Sequence, residues 1–285
     1  MNKTTAIALT LTVATLAVGM PVWLAIQESE RQGLAAETQR ALSYARDVLR
    51  RSDSTVDQVA NGFARLEKER HGDPCSEDSL GLMRQIDLSS KYVQAIGYME
   101  HGRLLCSSLG RDTRGLLIGM GDFVTPRGVK VHKNLRLPFA PQESFIALEQ
   151  RNYVAIIHKD LPIDITTTEK DSSMAIFSLY EPLPMSSRGF INRSWVQRLG
   201  AGVETTFVDG GHVVAVVKSQ RYLTAAVAAV PMNYLASRTR DASARLIPVG
   251  LIAGIVLAAS VLLLARTQMA IPSAIKAGLK RHEFF

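Results

Sequence analysis

The residues best equipped for chemistry in this 285-residue chain are its two cysteines, Cys75 and Cys106. Cys75 follows Asp73-Pro74, a loop signal, and Cys106 falls in an alternating stretch that reads as a strand. On an oxidising side of a membrane, two lone cysteines in one domain most simply form a disulfide. Closing a loop of about 30 residues stabilises a fold by roughly 3–4 kcal/mol on the chain-entropy model. Such a bond is either an inert staple or a bond whose opening loosens the domain and so carries a signal. A third chemistry uses His71, four residues before Cys75, and His101, five before Cys106. Two imidazoles and two thiolates make a tetrahedral zinc set. Against it, His101 belongs to a turn that aims away from the strand position of Cys106.

No other chemistry is signposted. The chain has no Gly-x-Ser-x-Gly elbow, no His-Glu-x-x-His and no Walker loop. Gly115-Leu-Leu-Ile-Gly-Met-Gly121 misses the dinucleotide-binding spacing and reads as a strand-edge loop. The remaining histidines, His132, His158, His212 and His282, are scattered, and no acidic pair has catalytic spacing. The reading therefore assigns no catalytic residue, no metal ligand and no cofactor to this chain. Tyr153, His158, Tyr180, Arg188, Arg193 and Trp195 are candidates to line a pocket for a small anion. The net charge of +7 is dispersed, without a basic helix or an aromatic sheet face, so nucleic acid is not an expected partner.

The elements that must position the cysteines are legible in part. Leu34, Ala41, Leu42, Ala45, Val48 and Leu49, then Val56, Val59, Phe63 and Leu66, recur at helical spacing. They predict a leading helix over about 27–70, broken or re-capped at Ser52-Asp53-Ser54. A short helix over 77–86 follows, capped by Ser76. Strands are expected over 92–99, 103–108, 145–148, 153–158, 174–179, 205–208, 212–217 and 224–230. His101-Gly102 and Asp209-Gly210-Gly211 are hairpin turns. A helix over 232–245 closes the segment. The fold class is α+β: one domain with a long N-terminal helix and a mixed, largely antiparallel sheet, similar in architecture to PAS-like or Cache-like sensors.

Two uncharged runs, 4–26 and 246–265, flank this domain. Each reaches the roughly 20 residues needed to cross a hydrocarbon core as a helix. The first exceeds a signal peptide's apolar stretch and has no Ala-x-Ala site, so an uncleaved anchor is expected. Arg266, Lys276, Lys280 and Arg281 follow the second run, which favours both termini inside. The domains expected are thus a first span (4–26), an outer domain (27–245), a second span (246–265) and an inner segment (266–285). The membrane is the expected partner. Gly250, Gly254 and Ala258 recur at four-residue steps, the pattern of a close helix–helix contact, and so predict a homodimer.

Cys106-Ser107-Ser108, with Cys75 upstream and the two flanking apolar runs, resembles the CSS-motif periplasmic sensor region of bacterial cyclic-di-GMP phosphodiesterases of the EAL type. The likeness covers nearly the whole chain. Ala274-Ile-Lys-Ala-Gly-Leu-Lys-Arg-His-Glu-Phe-Phe285 looks like the opening of an EAL domain, where this chain stops. The resemblance implies a regulatory, inner-membrane region whose disulfide answers to periplasmic thiol-oxidising and proteolytic machinery. It also implies that the divalent metal, Mg or Mn, and the catalytic residues belong to an EAL domain that this chain lacks. A second reading remains beside it: a small-molecule-binding periplasmic sensor whose disulfide is only structural.

Overall fold

The computed structural model describes residues 3–69, 72–168 and 171–233, and the positions 248, 252, 254–256, 259–260 and 263. It divides into two units, Thr38–Pro231, and Met1–Glu37 with Met232–Phe285.

In the larger unit, helix α1 (Lys3–Glu69) contributes its part from Thr38 onward. Its apolar stripe is buried as the periodicity requires, with Ala41, Ala45, Val48, Val59, Phe63 and Leu66 all inside. The expected break at Ser52-Asp53-Ser54 is absent, because the helix continues through it. Asp53 does not cap a helix start. Its Oδ2 accepts a hydrogen bond of 2.9 Å from the Ser219 hydroxyl, so a tertiary partner takes the side chain that local chemistry would have used. Helix α2 (Glu77–Ser89) follows, with Ser76 as N-cap: its Oγ accepts from the Ser79 amide at 3.2 Å.

Among the described residues, twelve strands then form two antiparallel sheets, where a single sheet was expected. The first holds β1 (Val93–Glu100), β2 (Arg103–Ser107), β3 (Gly110–Leu117), β4 (Phe123–Val124), β5 (Lys130–Leu137), β6 (Ala140–Gln150) and β7 (Tyr153–His158). Its order is β3-β2-β1-β7-β6-β5-β4. The second holds β8 (Ser173–Ser178), β9 (Pro184–Arg188), β10 (Glu204–Asp209), β11 (His212–Lys218) and β12 (Thr224–Pro231), in the order β10-β11-β12-β8-β9. Both anticipated hairpin turns are present. His101 and Gly102 join β1 to β2, and Gly210 and Gly211 join β10 to β11, all four with positive φ. Gly115 is the correction to the expected loop, since it lies inside β3.

One core packs α1 (Val59, Phe63, Leu66) and α2 (Leu80, Met83, Ile86) on the first sheet through Ile96, Cys106 and Tyr153. Ala95, Met99, Leu104 and Val154 belong to a separate core on that sheet. A 3-10 helix, Arg193–Leu199, places Trp195 in the core of the second sheet with Phe177, Val214 and Val227. α1 is tied to the second sheet as well: the Arg46 guanidinium donates to Glu204 at 2.8 Å.

In the smaller unit α1 is helical from Lys3, and Leu16, Met20, Trp23 and Leu24 are exposed. Among the described residues, no helix is long and apolar enough to cross a membrane. Most of the expected second span, all of the inner segment 266–285 and most of the closing helix over 232–245 lie outside the described residues. So do Gly250 and Ala258, whereas Gly254 is helical.

Candidate functional site: the bridged Cys-Ser-Ser strand

Cys75 and Cys106 form a disulfide with a Cα–Cα distance of 5.7 Å. The Cys75 side is a built turn. Asp73 accepts the Cys75 amide on Oδ1 at 2.9 Å and the Ser76 amide on its carbonyl at 3.1 Å, and Ser76 then caps α2. The bridge thus fastens the start of α2 to the second strand from the sheet edge.

Strand β2 is irregular at this point. Met99 of β1 pairs with Leu104 and Tyr98 with Cys106, which leaves Leu105 as an extra residue, a β-bulge. Leu104 and Cys106, two residues apart, would face the same side of a regular strand. The bulge sends them to different cores, Leu104 to one and Cys106 to the one shared with α1 and α2. Cys106 therefore meets the Cys75 loop because of Leu105, a signal that neither alternation nor composition carries.

Gly97 makes this strand pairing tight. A methyl group on Gly97 would stand 2.4 Å from the Cys106 carbonyl oxygen and 2.9 Å from Ser107 Cβ. Its backbone φ is ordinary, so the requirement is steric.

The two serines differ in role. Ser107 is buried opposite Gly97, and its Oγ accepts from the Leu109 amide at 3.2 Å, shaping the turn into β3. Ser108 returns to the cysteine's side. Its amide donates to the Ile96 carbonyl at 2.8 Å, and its Oγ accepts from the Ile96 amide at 3.3 Å. The same hydroxyl hydrogen-bonds the Asp87 carboxylate on α2. Burial pushes the Asp87 carboxyl above the usual carboxylate range, and the Ser108 bond opposes that rise. Ser108 is a polar pin between α2 and the sheet, beside the covalent one.

A zinc set, the least favoured of the three chemistries, is not assembled while the bridge is closed. The two sulfurs are bonded to each other and so are not thiolates, and His101 sits in its turn; His71 lies outside the described residues.

The six pocket candidates are not brought together either. Tyr153 is core, stacked with Phe63 and edge-on to Tyr98, and Trp195 is buried with its Nε1–H donating to Asp209 at 2.6 Å. That bond holds the Asp209 carboxyl below its ordinary range. Only His158 and Arg188 share a cleft, of about 480 Å³, with Asp160 and Asp164. The Asp160 amide donates to His158 Nδ1, so the proton sits on Nε2 and is donated to Glu143 at 2.9 Å.

A network missed in the sequence ties α1 to both sheets. Asp57 accepts the Arg221 guanidinium at 2.6 Å and the Tyr222 hydroxyl at 2.5 Å, and Arg127 lies 5.4 Å over the Tyr222 ring. Burial, then the bond to Asp57, pushes the Tyr222 hydroxyl up to about 12. Asp53 is raised chiefly by burial, which the Ser219 and Arg221 contacts only partly offset.

A family model described as the CSS motif domain associated with EAL matches residues 37–243. A protein of Escherichia coli (strain K12) named as a cyclic di-GMP phosphodiesterase, PdeB, is 30% identical over 98 residues; these are 34% of this chain and 18% of that relative's length. Among solved structures, the extracellular domain of a protein designated histidine kinase rpHK1S-Z16 is similar in fold. Its TM-score is 0.50 at 11% identity, covering 73% of this chain and 98% of that one. The ligand-binding domain of the Campylobacter jejuni chemoreceptor Tlp3 with L-norvaline gives 0.44 at 8% identity, covering 71% and 94%.

Proposed function

From the premise that this chain belongs to the family of CSS motif domains associated with EAL, we propose that it is the membrane-anchored, redox-responsive regulatory region of a cyclic-di-GMP phosphodiesterase. The observation that carries this reading is the Cys75–Cys106 bridge, which clasps the α1–α2 loop to the motif strand within the core that α1 shares. Opening the bridge releases the start of α2 from β2 while Ser108 still pins its end. The packing of Val59, Phe63 and Leu66 of α1 is then free to change, and α1 is the element that leads toward the proposed first span. A disulfide that biases one packing over another is a switch in the physical sense.

The spans themselves belong to this proposal. Residues 4–26 and 246–265 would cross the inner membrane with both termini in the cytoplasm and the bridged domain in the periplasm. The exposed Leu16, Met20, Trp23 and Leu24, and Ile252, Ile255, Val256 and Leu263, support lipid contact. Gly250, Gly254 and Ala258 would then serve a homodimer contact. Thiol-oxidising enzymes would close the bridge, and proteases would read the opened form. Hydrolysis and its divalent metal ions would reside in an EAL domain outside this chain.

Alkylation mass shifts on intact membranes, with and without mild reductant, test the reading. A bridge that opens under mild reductant, with altered oligomerisation or protease cleavage, is the expected result. A bridge that opens only when the domain unfolds would reduce it to a staple.

A further inference from the structure

A second cleft, of about 470 Å³, lies against the middle of α1, apart from the bridge. Three segments meet there: α1 supplies Arg50, Arg51 and Ser54, the α2–β1 connection supplies Lys91 and Tyr92, and the β7–β8 connection supplies Leu161. The lining carries three cations and no acid. Asp47 on the same helix is shared by both arginines: Arg50 pairs with it closely, and Arg51 Nε lies 3.6 Å from its second oxygen. Among the described residues no carboxylate pairs with the Lys91 ammonium. Two arginines and a lysine, with no acid in the lining, make the cleft basic.

Two sets of bonds fasten the segments that carry these cations to one another. Gln58 on α1 accepts the Lys91 amide at 2.9 Å and the Ser90 hydroxyl at 2.5 Å, fixing the α2–β1 connection on the helix. Arg51 Nη1 donates to the Asp164 carbonyl at 2.9 Å, fixing the β7–β8 connection. Like charges gathered along one cleft repel one another, and an anion seated among them relieves that repulsion. Ser54 and Tyr92, which also line the cleft, each carry a neutral hydroxyl.

We propose that this cleft binds a small dianion, either a dicarboxylate or phosphate. Arg51 and Lys91 supply charge-assisted hydrogen bonds, Ser54 and Tyr92 orient the bound oxygens, and Leu161 covers one side. The consequence is regulatory. The β7–β8 connection joins the last strand of the first sheet to the first strand of the second, so a dianion bridging it to α1 would bind both sheets to the helix. The domain would then integrate two inputs, a thiol state at one end of its first core and a dianion at the junction.

The test is isothermal titration of the full chain in detergent, separately with sodium succinate and sodium phosphate, against sodium chloride at matched ionic strength. Saturable heat with at least one dianion is expected, and which of the two binds tells a dicarboxylate from a phosphate source. Lys91→Gln, a substitution at an exposed side chain, should weaken that binding by about tenfold, as loss of a hydrogen bond to a charged group does. Arg51→Gln should do the same. Should that variant misfold because the Asp164 contact is lost, Lys91→Gln alone decides. Heats no larger than the chloride control with both dianions would overturn the proposal, as would a Lys91→Gln protein that binds like wild type.

Discussion

Replacing Cys75 by Ser and Cys106 by Ala removes the chain's one covalent cross-link without burying a new hydroxyl where Cys106 is 1% exposed. The bridge closes a sequence separation of 31 residues. On the chain-entropy model this constrains the unfolded chain by about 3.7 kcal/mol at 25 °C. With a urea slope of about 2–3 kcal/mol/M for a domain of this size, the midpoint should fall by ~1–2 M. Equilibrium unfolding of the full chain, followed by Trp195 fluorescence, reads this directly, and reductant added to wild type should reproduce it. The kinetics carry a further expectation. Cys75 is half-buried and Cys106 is inside, so an attacking thiolate reaches the Cys75 sulfur and expels that of Cys106. Brief reduction with a bulky thiol should therefore trap a mixed disulfide on Cys75. A midpoint that falls by less than about 0.3 M, or an adduct on Cys106, would refute the placement of the bridge as the brace of this core.

Other perturbations follow from the same site. Gly97→Ala places a methyl against the Cys106 carbonyl and should cost about 1–3 kcal/mol in the same unfolding assay. Ser108→Ala should cost about 1–2 kcal/mol by orphaning the Ile96 amide. It should also raise the Asp87 carboxyl further, as carbon-detected NMR titration would show, because the bond that opposes the rise is gone. Asp53 and Asp87 are both held above their ordinary range in the folded state. Their contribution to stability is full below the unfolded-state value and is lost as pH rises through the elevated folded one. Melting temperatures of Asp53→Asn and Asp87→Asn proteins should thus vary less than wild type between neutral and mildly acidic pH.

What the sequence made legible was what local chemistry decides. Ser76 caps α2 because a serine precedes Glu77-Asp78, and His101-Gly102 turns because both take positive φ. β7 spans the expected 153–158, and the Val/Ala runs of β11 and β12 read as strands because both of their faces are buried. What stayed hidden was set by distant partners. β12 pairs with β8, and β7 inserts between β1 and β6, by contacts that no window of sequence contains. β5 was missed because His132, Lys133 and Asn134 interrupt its alternation, and β9 because it is a short edge strand opening on Pro184. At the site, both cysteines and both serines were visible, whereas the Leu105 bulge that re-aims Cys106 was not. Nor was the basic cleft, whose three segments, at residues 50–54, 91–92 and 161, are far apart along the chain.

The strand order has a bearing on how the bridge comes to exist. Cys75 and Cys106 precede β5, β6, β7 and the whole second sheet in the chain, yet Cys106 ends up beside β1, whose other edge is covered by β7. A polypeptide that emerges from its N-terminus offers both thiols to an oxidant before β7 has been made. At that stage only the β1–β2 hairpin and α2, all close in sequence, need to form for the sulfurs to meet. On the periplasmic reading proposed above, oxidation would be an early step of assembly, and the bond would brace the hairpin against which the later strands pair. A chain made without oxidant would face the slower task of inserting β7 against an unbraced hairpin, so that maturation history, and not only the thiol balance of the moment, would be written into the folded population.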